Sequence, residues 1–90
     1  MPFAALKVKI MPESPDADLK EIEKKANKVI QELGGKPHSS ETEPIAFGLN
    51  ALYILSAWPE EKEFDTLEQK LSEIENVNSV QVVDFRRAVG

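Results

Sequence analysis

The chain has no cysteine and a single histidine, His38. Without thiols there is no disulfide framework, no thiolate nucleophile and no cysteine-based metal site, and a reducing cytoplasm is the compartment that fits. Long apolar runs are missing as well. Pro2, Lys7 and Lys9 interrupt the amino-terminal stretch, and no later run nears the roughly 20 residues that a bilayer requires. The expectation is a soluble protein without a recognisable targeting signal. Positive charge is in short supply: sixteen Asp and Glu against eleven Lys and Arg leave a net charge of −5. Such a balance repels phosphate backbones and anionic lipid at long range, which disfavours direct binding to nucleic acid or membrane.

Catalytic chemistry is equally thin. His38 lies in a polar stretch with no serine, cysteine or carboxylate at a recognisable spacing, so no catalytic residue is assigned. Asp16 and Asp18 beside Pro15 read as helix-capping residues and lack the further ligands of a calcium loop; neither a metal nor a cofactor is expected. Gly34 and Gly35 follow a helical pattern, which is the wrong polarity for a phosphate cradle. Ninety residues make one domain, residues 1–90, with one core and no room for a cleft between lobes. Any ligand has to bind on its surface.

What is present is periodicity. Residues 3–11 alternate, with Ala4, Leu6, Val8 and Ile10 on one side and Lys7 and Lys9 on the other, the pattern of a strand with one wet face. A helix is expected to begin near residue 16, because Leu19, Ile22, Ala26, Val29, Ile30 and Leu33 recur at three- and four-residue spacing before the glycine pair. Residues 36–43 read as a polar loop feeding a short second strand that continues to Phe47. Leu49 to Trp58 is an apolar run broken only by Asn50 and Ser56, as in an inner strand, and Pro59 stops it. Phe64, Leu67, Leu71 and Ile74 mark a second helix, whose acidic neighbours form a solvated face. Asn76 and Asn78 mark the turn out, and Val77 to Val83 is a β-branched strand reaching Phe85. The order strand, helix, strand, strand, helix, strand is the split βαβ arrangement. It predicts an α+β, ferredoxin-like sandwich: a four-stranded antiparallel sheet with two helices on one face.

One segment does not settle into this pattern. Glu43-Pro-Ile-Ala-Phe-Gly-Leu49 places a Phe-Gly pair where a turn meets an apolar strand. Spacing alone favours a core phenylalanine beside ordinary turn residues. The topology instead puts Phe47 between the second and third strands, where a ring projects beyond the sheet. The RNA recognition motif shares this architecture, yet no basic residue precedes the pair, Leu49 replaces the second aromatic, and Tyr53 falls one residue late for a stacking position.

Three segments, Met11-Pro-Glu-Ser-Pro-Asp16, Glu43 to Leu49 and Val82-Val-Asp-Phe-Arg-Arg87, occur in the order seen in the guanine nucleotide exchange domain family of translation elongation factor 1. The chain resembles its archaeal elongation factor 1-beta members over essentially its whole length. The resemblance implies the split βαβ fold and a non-enzymatic role: promoting GDP release from the GTPase elongation factor 1-alpha so that GTP rebinds. It implies a partner-binding site in which Phe47 enters a pocket on the GTPase, with Ile45 beside it, and Gly48 allows close backbone approach. Aligned on Phe85, the family's displacing lysine falls at Arg87, next to Arg86; a guanidinium keeps the charge but is planar and bulkier. The resemblance does not extend to the amino-terminal regions of eukaryotic members, so a monomer outside a larger exchange complex is expected. The alternative is a small regulatory or scaffolding module in which Phe47 is core and a sheet edge mediates self-association. An acylphosphatase of similar fold is disfavoured, because Met11 to Pro15 stands where its glycine-rich anion loop would be.

Overall fold

Alternation in the first segment decides which face of the sheet is dry. The computed structural model describes residues 3–87. Met1, Pro2 and residues 88–90, which the single-domain reading of 1–90 includes, lie outside the described residues. Strand β1, Phe3–Pro12, buries Ala4, Leu6, Val8 and Ile10 on one face while Lys7 and Lys9 keep the other partly wet. Helix α1 spans Leu19–Glu32, and strand β2 spans Lys36–Pro44. Strand β3 is Asn50–Pro59, helix α2 Asp65–Ser72 and strand β4 Val77–Arg87. The sheet order is β2-β3-β1-β4, antiparallel throughout, so the two apolar strands β1 and β3 occupy the centre. This is the ferredoxin-like α+β sandwich that the element order predicts. Both helices press on one face, where Ile22, Ala26, Ile30, Leu67 and Leu71 pack with Leu6, Val8, Ile10 and Ile54.

The helix begins at Leu19 rather than near 16 because Asp18 is the capping residue. Its carboxylate accepts hydrogen bonds from the amides of Lys20 at 3.0 Å and Glu21 at 3.3 Å, satisfying donors that the helix leaves free. At the far end Gly34 takes φ +97°, and Gly35 is needed for space. A Cβ on Gly35 would lie 2.8 Å from Ile30 Cγ2 and 2.8 Å from Trp58 Cε3. Trp58 is fully buried, and its indole Nε1 donates to the Lys62 carbonyl at 3.0 Å, so the ring is sequestered without an unpaired donor.

The reading of residues 36–43 as a loop is corrected. These residues form a nine-residue edge strand paired with β3 along its length, from Lys36 opposite Ala57 to Pro44 opposite Asn50. Its side chains are nearly all exposed, so the polar composition reflects a strand wetted on both faces. Nor does the strand continue to Phe47: the hairpin needs Ile45 to Leu49 for its connection, and Ala46–Gly48 form a 3₁₀ turn. At the start of the last strand, Asn76 makes the turn at φ +72°, whereas Asn78 already lies within β4. That strand runs past Phe85 to include Arg86 and Arg87.

Candidate functional site

Two regions bring the singled-out residues forward, and they lie at opposite ends of the sheet. The first is the tip of the β2–β3 hairpin. Pro44 cannot donate to the ladder, so the loop is closed by Ile45, whose amide donates to the Leu49 carbonyl at 2.7 Å; Ile45 itself is half-buried. Between these residues the chain reverses through Phe47 at φ +65° and ψ +28° and Gly48 at φ +76°. Glycine adopts such angles freely, but for a bulky L residue the left-handed region costs on the order of 1 to 3 kcal/mol. The strain gains no burial, because Phe47 is 93% exposed. Among the described residues the other exposed large hydrophobic is Val83, at 41%. The reading of Phe47 as a core residue is therefore overturned, and the scaffolding alternative loses the feature on which it was framed.

The hairpin tip lies close to the β1–α1 loop: a Cβ at Gly48 would be 4.0 Å from the Pro15 ring, and the Glu13 amide of the same loop donates to the Asn76 carbonyl at 2.9 Å, tying in the α2–β4 turn. The segments Met11 to Asp16 and Glu43 to Leu49, distant in sequence, thus meet at one end.

Arg86 and Arg87 form the other region. Arg87 pairs in register with Ala4, which faces Trp58 on β3, while Asn50 at the opposite end of β3 adjoins the hairpin tip. Eight residue steps from Asn50 to Trp58 at about 3.3 Å each put the two regions about 26 Å apart, within a molecule 41 Å long. Arg86 is aligned with Ala5 and Ala57 on the face without helices, and its guanidinium pairs with Asp84 at 3.0 Å. Arg87 reaches Glu60 at 3.8 Å. Both arginine side chains are at least 70% exposed, so these pairs are worth little, on the order of 0 to 1 kcal/mol, and are easily exchanged for a partner's groups.

Beside Arg86 and Arg87 the open face holds a shallow groove of about 420 Å³ lined by Phe3, Ala5, Leu55 and Ala57, with His38 at its margin. His38 is exposed, and among the described residues no three His, Asp or Glu side chains converge as metal ligands. Nor, among those residues, is any helix long and apolar enough to cross a membrane. The arrangement suits surface recognition: one apolar prong and one cationic edge on a rigid sheet.

Known proteins share both the sequence and the fold. A family model described as the EF-1 guanine nucleotide exchange domain matches residues 5–88. Elongation factor 1-beta of Pyrococcus horikoshii is 46% identical over 82 residues, covering 89% of each chain. The protein of the same name from Methanothermobacter thermautotrophicus is 42% identical over 81 residues, covering 89% of this chain and 90% of that one. The Metallosphaera sedula protein is 44% identical over 84 residues, with 89% of each covered. Among solved structures, the ACT domain from the GTP pyrophosphokinase of Chlorobium tepidum superposes with a TM-score of 0.63 at 15% identity, covering 90% of this chain and 99% of that one, a likeness of fold alone. The chain belongs to the EF-1 guanine nucleotide exchange domain family, together with the archaeal elongation factor 1-beta proteins.

Proposed function

We propose that this protein promotes guanine nucleotide exchange on elongation factor 1-alpha by holding the GTPase at two separated points, Phe47 as the apolar anchor and Arg86–Arg87 as the cationic contact. Family membership supports the activity and the partner. The observation that carries the anchor is a phenylalanine 93% exposed on a left-handed turn, since folding alone has no use for either property. Ile45 and Gly48 hold that turn, the first through its amide and the second through its conformational freedom. The whole chain, residues 1–90, acts as a single exchange domain, as a monomer in the cytoplasm, and it makes or breaks no covalent bond.

Exchange requires only differential binding. If the protein binds nucleotide-free GTPase more tightly than the GDP complex, then by linkage it lowers GDP affinity by the same factor. Arg87, released from its long pair with Glu60, supplies a positive charge where the nucleotide's cation and phosphates bind. The test is release of labelled GDP from elongation factor 1-alpha with and without this protein. Faster release is expected at micromolar concentration, and an unchanged rate there would sink the reading.

A further inference from the structure

The two contact points leave the surface between them unaccounted for. An aromatic ring buries roughly 150 to 250 Å², while a specific interface buries about 800 Å² on each partner. A partner that reaches both ends of the sheet therefore has to cover ground between them. Two faces connect those ends. The helical face exposes Lys20, Glu21, Lys24, Lys25 and Lys28 of α1 beside Asp65, Lys70 and Glu73 of the α2 segment, charged side chains throughout, as on a solvated helical surface. On the opposite face half-buried Ala57 and Leu55 of β3 lie beside exposed Ala5 of β1 with no helix over them, and the groove they line opens directly next to Arg86. Around that groove the cations Lys36, Arg86 and Arg87 outnumber the carboxylates Asp84 and Glu60, although the whole chain carries −5.

We infer that the helix-free face of the sheet is a docking surface for the same GTPase, and that the groove over Ala5, Leu55 and Ala57 receives an apolar side chain flanked by a carboxylate. The apolar floor takes the side chain and the arginine edge takes the acid, a division of labour set by the groove's own lining. The inference rests on the exchange reading, since it uses the two ends of that contact to define the surface between them.

Because the chain has no cysteine, a single introduced thiol reports on one place. Ala57→Cys in the groove and Lys24→Cys on the helical face are alkylated in the full-length protein, alone and with saturating nucleotide-free elongation factor 1-alpha, and followed by mass spectrometry. The inference expects labelling at position 57 to slow tenfold or more in the complex while position 24 changes less than twofold. A second variant, Leu55→Glu, is expected to weaken binding tenfold or more with the thermal melt retained; if it does not fold, the labelling pair decides. Equal labelling at position 57 with and without the GTPase overturns the inference, as does protection that grows with protein concentration in the absence of GTPase, which would assign the groove to a second copy. If GDP release is accelerated while position 57 stays fully reactive, this inference alone fails. If release is not accelerated at all, the exchange reading fails first.

Discussion

Phe47 and the Arg86–Arg87 pair stand at opposite ends of one sheet and are held by different means. The ring sits on a turn fixed by a short backbone hydrogen bond and two consecutive left-handed residues. The arginines sit at the end of a strand, and among the described residues exposed ion pairs are what restrain their guanidinium groups. One end is preorganised and the other adaptable. A preorganised apolar prong loses little entropy on binding, so it is suited to supply affinity. Long cationic side chains that have to be ordered contribute less at equilibrium but steer encounter and respond to salt.

The widest separation between the ends is expected from Phe47→Ala. Truncation of a buried anchor costs on the order of 2 kcal/mol or more, roughly a thirtyfold loss of affinity for the GTPase. The melting temperature should move by less than about 4 °C, because an exposed side chain contributes little to folding. Titration against labelled GTPase together with a thermal melt checks both halves. A large fall in melting temperature with binding intact would reverse the roles given to ring and core.

Gly35→Ala provides the opposite profile. The added methyl meets Ile30 and Trp58 at 2.8 Å, both inside the core, so overpacking should cost about 1 to 3 kcal/mol of stability. A melt lower by at least about 4 °C is expected, while exchange by the remaining folded protein is retained at low temperature. Loss of exchange in proportion to Phe47→Ala would mean that the anchor is not locally held. Gly48→Ala lies between the two. At φ +76° a methyl group costs about 1 kcal/mol, concentrated in the turn that aims the ring, so a several-fold loss of affinity should accompany a small drop in melting temperature.

Strand β1 and helix α1 were legible because each has one dominant period, and strand β3 because its apolar run is nearly continuous. Leu6, Val8 and Ile10 repeat every two residues, and Ile22, Ala26 and Ile30 every four. Strand β2 was not legible, since an edge strand with both faces wet has no apolar alternation to read. Strand β4 shows a third case. Its core-facing side chains Val77, Val80, Val82 and Phe85 are spaced three, two and three apart, because register shifts opposite Lys7/Val8 and Met11/Pro12 each absorb a residue. The same shifts turn Arg86 onto the helix-free face, which no period would have indicated. At the hairpin tip Gly48 announced a turn. That Phe47 is left in solvent follows the topology and the family resemblance rather than residue spacing, which favours a core ring; that it shares the left-handed conformation had no sequence signal, because bulky residues rarely adopt it.

The smallest effects belong to the arginines, and they distinguish two uses of charge. Arg86→Ala removes a rim cation, so the association rate should fall a few-fold, the effect should fade as salt is raised, and GDP release at saturating protein should not change. Arg87→Ala is expected to lower that saturated release rate, by about 1 kcal/mol or several-fold, because a cation competing at the nucleotide's phosphate site changes the coupling between the two ligands. Arg87→Lys keeps the charge on a slimmer group and should retain most of the rate. The measurement is GDP release against protein concentration at low and high salt. Identical behaviour of the two alanine variants would make Arg87 a second rim charge, leaving the arginine pair to steer encounter alone.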